Sequence, residues 1–434
     1  MPKPRPEPEP TGDHQPSVLY YRDYRLYLGT SFFSALAAQA QTVAVGWQIY
    51  SITHSPLALG LAGLMPFLPI VCFLLPAGGL ADRFDRRILI VCASLVGAVV
   101  SALFMTLTLQ GTNQAWPFYI VLLLLGSGRA LGWPARQSFL PLLVPQGSFA
   151  QAISWNSAAF QTATILGPAL GGVLYLLGPA VVYGTCSATM FATAAATCAI
   201  RTSGKARAAA GGPAGFRRLV AGVEYVWSNP LLLSGMALDF FAVLLGGATA
   251  LLPVYARDIL RIGPGGLGLL RAAPALGAAS VGVILGHAPM REKAGRKMFA
   301  CIALFGIATI VFGLSRNFLL SLGALALLGA SDMVSVYVRA TIAQLATPDQ
   351  MRGRVSAVNG MFISGSNELG EFESGVTAAW FGTVAAVVIG GVGTLVVVAA
   401  GWWLFPELRD IEDPAEVTPR SIEEHAEARA GASS

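Results

Sequence analysis

Apolar residues in this chain gather in long runs separated by short polar segments. A helix of about 20 residues crosses a hydrocarbon core of ~30 Å. Runs of that length predict twelve spans, near 26–50, 57–79, 88–109, 117–135, 152–174, 179–200, 231–255, 265–287, 298–314, 318–340, 355–379 and 384–405. None alternates strictly with period two, so helices fit better than the strands of a barrel.

The second half repeats the first at a fixed offset of 203. Gly126, Arg136, Pro145, Asn156, Leu166, Gly167 and Gly172 recur, without a gap, as Gly329, Arg339, Pro348, Asn359, Leu369, Gly370 and Gly375. Parallel halves in a hydrophobic chain are a signature of secondary transporters, whose site lies where the halves meet. The expected fold is all-α and integral to the membrane: two pseudo-symmetric six-helix bundles. An N-terminal tail (1–25) precedes the first bundle (26–200), a central loop (201–230) joins it to the second (231–406), and a C-terminal tail follows (407–434).

Composition agrees: 54% of residues are apolar and 12% charged, against about 25% charged in soluble domains. The net charge of +5 reports topology. Most of the 28 Lys and Arg fall in the tails and even-numbered loops; Arg257, Arg261 and Arg316 fall in the opposite set, and Arg129, Arg271 and Arg339 lie within spans. Positive charge stays cytoplasmic, which puts both termini inside and argues against nucleic acid as a partner. Residues 1–16, rich in Pro and charge, read as a tail rather than a signal peptide. Cys72, Cys92, Cys186, Cys198 and Cys301 lie in or beside apolar spans with no pairing pattern, and read as small core residues. Phe216–Trp227 has the spacing of an amphipathic helix on the inner leaflet, or of an ordinary polar linker. Trp116, Trp380, Trp402 and Trp403 sit near span ends, where they suit the headgroup level.

After the second span comes Gly78-Gly79-Leu80-Ala81-Asp82-Arg83-Phe84-Asp85-Arg86-Arg87. This resembles the loop signature of the major facilitator superfamily, except that Asp85 replaces a Gly. The resemblance implies a cytoplasmic latch built on Gly78, Asp82, Arg83, Arg86 and Arg87; the other reading is that the arginines only set topology. Gly167-Pro168-Ala169-Leu170-Gly171-Gly172 in the fifth span is similar to a motif associated with the superfamily's exporters, where Pro and Gly permit bending and close packing. Its plainer reading is a kinked packing helix at Gly167, Pro168, Gly171 and Gly172. With Pro134-Ala135-Arg136 and Thr347–Val355, the match over roughly 20–405 resembles the "transmembrane secretion effector" branch, which includes the enterobactin exporter. One departure stands out. The Arg that precedes the glycines of the superfamily's fourth-span motif is missing, because Val121–Leu125 stands there; its proton-transfer role is unfilled.

Charged residues inside spans are the sharpest signal read from the residues alone. A carboxylate at mid-bilayer costs about 2.5–3.5 kcal/mol on insertion scales, so it needs a partner, water or a proton. Span eleven carries Glu368, Glu371 and Glu373, and the first two share a face one turn apart. Crowded carboxylates at low dielectric favour keeping a proton on one of them. Arg271 in span eight is placed to pair with Glu371 or Glu373, or simply to glue helices together. Glu368, nearest the midplane, is the expected proton carrier. Arg129 and Asp332 are repeat-equivalents of opposite charge and are expected to bridge as an inner gate. Asp239 on span seven, at similar depth, competes for Arg129 or takes a proton. Gln39, Gln41 and Gln48 on span one bond either substrate or neighbouring helices.

No nucleotide-binding Gly-Lys loop, metal pair or nucleophile elbow occurs. An enzyme, a bound metal or a cofactor is not expected; the coupling ion is a proton. The sequence predicts a monomeric inner-membrane transporter, surrounded by lipid, that exports a small amphipathic siderophore-like or drug-like molecule by proton antiport. Uptake, proton-independent facilitation and a non-transporting membrane component remain open.

Overall fold

The computed structural model describes residues 17–205 and 215–413, with the side chains of 74–83, 215–219 and 349–350 outside the description. Six helices form the first half: α1 (Arg22–Thr53), α2 (Pro56–Arg83), α3 (Arg86–Leu109), α4 (Trp116–Phe139), α5 (Phe149–Tyr175) and α6 (Pro179–Cys198). A connecting helix α7 (Gly215–Ser228) follows. The second half holds α8 (Pro230–Leu245), α9 (Gly263–His287), α10 (Ala294–Leu314), α11 (Phe318–Leu345), α12 (Asp349–Phe381) and α13 (Thr383–Leu404), and closes with the short α14 (Pro406–Arg409). Ten helical stretches among the described residues combine the length and apolarity to cross a bilayer. The two others of full length are α1 and α12, whose Gln, Asn and Glu residues lower their hydropathy. A polar helix survives in a membrane only where its polar face meets protein or water, so these two are the helices expected to wall a cleft.

The repeat is visible as repeated packing. Gly126 of α4 lies beneath the Pro66 carbonyl of α2, and Gly329 of α11 beneath the Pro274 carbonyl of α9. Gly167 packs on Leu36–Ala40 of α1, and Gly370 on Val243–Leu244 of α8. The last pair joins the halves: Gly172 of α5 meets Pro264–Gly268 of α9, while Gly375 of α12 meets Pro56–Gly60 of α2. Small residues permit this approach because lipid supplies no hydrophobic drive and contact must come from close packing. The turns after α5 and α12 use glycines with left-handed φ, Gly178 at 115° and Gly382 at 87°.

Four expectations change. The seventh span is not one helix: α8 stops at Gly246-Gly247, and a 3-10 turn (Ala248–Leu251), a short helical segment containing Pro253 and a π-turn (Tyr255–Ile259) complete the crossing. Helix α7 is amphipathic, but it docks on protein as well: Val226 is buried, Gly222 packs on Arg354, and Tyr225 donates to the Ala346 carbonyl at 3.0 Å, while Trp227 stays exposed. Only Cys186 is buried among the five free cysteines; Cys72, Cys92 and Cys198 are exposed. Trp402 is packed against Phe299 and covered by Arg409, unlike exposed Trp116, Trp380 and Trp403.

The end bearing the chain termini is tied off separately in each half. Asp23 accepts from the Arg201 and Thr202 amides and the Thr202 hydroxyl at 3.1, 2.8 and 2.6 Å. The first amides of α10, at Ala294 and Gly295, donate to the carbonyls of Glu412 and Ile411, both at 3.0 Å, and Leu408 is fully buried. Between the halves, side-chain hydrogen bonds among the described residues run from Tyr50 to Asp258 at the far end and from Gln161 to the Ala275 carbonyl at mid-depth. The described side-chain bonds between the halves therefore lie at mid-depth and at the end remote from the termini.

Gly329→Leu is expected to destabilise the protein by about 1–3 kcal/mol, because a side chain has no room under the Pro274 carbonyl. Gly323→Leu on the same helix, where nothing lies within 4 Å, should melt like the parent in detergent. Equal melting of the two variants would contradict the packing.

Candidate functional site

The charged residues sort into two groups. In the first, Asp239 of α8 and Arg339 of α11 form a buried ion pair at 2.7 Å. The Ser335 hydroxyl donates to Asp239 at 3.4 Å, and Arg339 also donates to Asn359 of α12 at 3.5 Å. Asp332, one turn from Ser335 on α11, acts electrostatically on both partners. Two carboxylates thus share one guanidinium.

The second group gathers on α12. Arg271 of α9 pairs with Glu371 at 3.7 Å, resolving its choice of partner. Glu371 also rests against Gly63 of α2, so it lies in the contact between halves. Glu373 accepts from Thr377 of its own helix at 2.6 Å. Glu368 is partly exposed; Arg129, Arg271 and Glu371 act on it electrostatically, and it forms no hydrogen bond or ion pair among the described residues.

Arg129 and Asp332 form no ion pair with each other in this structure. Arg129 is exposed and faces Glu368 across the halves, while Asp332 belongs to the Asp239–Arg339 group. Asp239 engages Arg339 rather than Arg129. That partner escaped the sequence reading, although the repeat contained the clue. Arg136 and Arg339 are equivalents, and each reaches the first helix of its own half. Arg136 finds only hydroxyls there, Ser31 at 3.3 Å and Ser34 at 3.1 Å, whereas Arg339 finds Asp239.

The glutamines of α1 divide. Gln41 accepts from Ser101 at 2.5 Å, and Gln48 bonds Thr108 and Tyr183 at 2.9 and 2.7 Å, so both tie α1 to its own half. Gln39 packs its Cβ on Gly167 and makes no hydrogen bond. Of the latch motif, Gly78, Asp82 and Arg83 fall outside the described side chains. Arg86 donates to the Ser138 carbonyl at 3.1 Å and Arg87 to the Ile200 carbonyl at 2.6 Å. Asp85, the departure from the signature, caps α3 by accepting from the Arg87 amide at 2.9 Å. Gly167, Pro168, Gly171 and Gly172 are buried, and Gly171 abuts the Ala40 carbonyl. The exporter-type motif is thus a two-sided packing surface, with α1 on one side and α9 of the other half on the other.

Repeated hydrophobic halves that carry acids and arginines within their helices have the architecture of a secondary transporter. The family model described as "Transmembrane secretion effector" matches residues 19–431. The chain belongs to that family. It is a major facilitator transporter and a multi-pass membrane protein. The enterobactin exporter of Citrobacter koseri is 27% identical over 404 residues, 91% of this chain and 94% of that protein. That of Escherichia coli K12 is 26% identical over 406 residues, 91% and 95%. Among solved structures, a bacterial homologue of the human lysosomal transporter Spinster, inward-facing and unoccupied, superposes with a TM-score of 0.74 at 14% identity, over 91% of this chain and 98% of that one. A D-xylose–proton symporter gives 0.66 at 14%, over 91% and 99%. These structures share the fold.

Removing one member of a buried ion pair costs about 3–5 kcal/mol, because it strands the other charge. Arg339→Met is expected to fall in that range, with Arg271→Met smaller because its bridge is longer and a fifth exposed. Adding Asp239→Leu should recover most of the Arg339→Met loss. Thermal melts that show no recovery in the double variant would show that the pair is not coupled.

Proposed function

We propose that this transporter exports a small amphipathic molecule across the inner membrane by alternating access, driven by antiport of protons. The observation that carries the reading is Glu368: a partly exposed carboxylate on a membrane helix, facing the other half, with no fixed partner. Glu371 pairs with Arg271 and Asp239 with Arg339; Glu368 and Asp332 have no hydrogen bond or ion pair among the described residues, and of these two Glu368 is the one that Arg129 of the other half acts on. A proton on Glu368 favours one orientation of the halves, and substrate bound to the ionised acid favours the other. Asp239, Glu371, Glu373 and Arg271 then serve mainly to hold the second half in shape.

Export is supported by the relatives, which are named enterobactin exporters, and by the Gly167–Gly172 packing surface. A siderophore-like or drug-like substrate follows from the same likeness. The end carrying the termini bears Arg22, Arg25, Arg86, Arg87, Arg201 and Lys205, which suits the cytoplasmic face. The described conformation is then open to the cytoplasm, the state that loads an exported compound. In the opposite state Arg129 and Asp332 close on each other as the inner gate. One chain in lipid holds the whole site, so a monomer suffices, with no cofactor beyond the proton.

In inverted vesicles, adding transported compound is expected to dissipate an imposed proton gradient. Glu368→Gln should abolish that dissipation; an undiminished response would remove Glu368 from the mechanism. Cysteines placed at 129 and 332, in a chain freed of its own thiols, should arrest transport once bridged and release it on reduction. Full activity while bridged would exclude the gate.

A further inference from the structure

We infer that the turn between α9 and α10 holds an anionic phospholipid, with the headgroup phosphate at Arg291 and Lys297 and an acyl chain along the outer face of α9. The site is independent of the direction and coupling of transport.

The chain leaves α9 at His287 and enters α10 at Ala294. Lys293 makes the turn in a left-handed conformation, with φ at 51°. Beside the turn lies an open depression of about 340 Å³, lined by Leu285 and Met290 together with Arg291, Glu292 and Lys297. The three ionic side chains are exposed, two cations against one acid. Arg296, next along α10, is engaged with Asp410 at 3.8 Å, whereas Arg291 and Lys297 form no ion pair among the described residues. A phosphodiester carries one negative charge and only accepts hydrogen bonds. A guanidinium and an ammonium at one place match both properties.

The surroundings argue for a phosphate that belongs to a lipid. The depression lies just past the end of a helix long and apolar enough to cross the bilayer, Gly263–His287, and so at headgroup level. It is on the side of the termini, since the first amides of α10 donate to the carbonyls of Ile411 and Glu412. Toward the bilayer centre, α9 exposes Leu269, Leu276 and Val283. Intervals of seven residues keep them on one face over about 20 Å, enough to cover the ~15 Å of hydrocarbon in one leaflet. Ile284 is exposed beside Val283, and Ala288, one turn further, lines the depression. An apolar stripe thus runs directly into a cationic hollow, the order of surfaces that an acyl chain and its headgroup require. A free phosphate ion would use only the hollow.

The test uses the full chain purified in detergent and native mass spectrometry, reading the first lipid bound from phosphatidylglycerol or phosphatidylcholine with identical acyl chains. Phosphatidylglycerol should bind about tenfold more tightly, as expected where two basic side chains outweigh one acid at the membrane surface. Arg291→Gln combined with Lys297→Gln should bring the two lipids to within about twofold of each other. Glu292→Gln should instead widen the preference by about fivefold, an effect opposite to that of general damage. Arg25→Gln, which removes an exposed cation near the termini but away from this turn, should keep the parental preference. Millimolar glycerol 1-phosphate should leave the bound lipid in place. Equal binding of the two lipids by the parent, an undiminished preference in the double variant, or no gain in Glu292→Gln would each overturn the site. Displacement by glycerol 1-phosphate would overturn the lipid as occupant and assign the hollow to a soluble phosphate.

Discussion

Two crossings of bare backbone carry the architecture: Gly172 against Pro264–Gly268, and Gly375 against Pro56–Gly60. In a bilayer the attraction between helices comes from contact distance rather than from expulsion of water. A side chain at either crossing would push the halves apart. Both crossings lie toward the end remote from the termini. The contact between the halves is thus a packing result, and the polar groups are distributed around a geometry already fixed by glycine.

Charge is where the duplicated halves part company. Arg136 and Arg339 occupy matching places and reach matching helices, yet one meets serines and the other an aspartate. The described acids within the spans, Glu368, Glu371, Glu373, Asp239 and Asp332, all belong to the second half, while the first contributes Arg129. The first half is tied together by neutral groups such as Gln41 and Gln48, and the second by the ion pairs of Asp239 and Glu371.

Much of this was legible in the sequence, for reasons that differ by residue. Long apolar runs, the 203-residue repeat and the glycine motifs are local or periodic, and they forecast the helices and the close packing of α5. The Arg271–Glu371 bridge was among the readings because both residues stand out against apolar surroundings. The Asp239–Arg339 pair was missed, since Arg339 lies near a span end where an arginine looks like a topology signal. Arg129 and Asp332 were joined by symmetry, but in this conformation each answers to a nearer charge. The break at Gly246-Gly247 was hidden because 3-10 and π turns leave the hydropathy of the span unchanged.

The carbonyls of Ile411 and Glu412 finish a helix that starts more than a hundred residues earlier. The amides at the head of α10 would otherwise depend on water at the membrane surface, and Leu408 fills the core beside them. The stretch just past α13 is therefore a clasp belonging to the bundle. Anything attached at the C-terminal side hangs from this clasp, so its pull would be felt first at the turn between α9 and α10, in the second half alone.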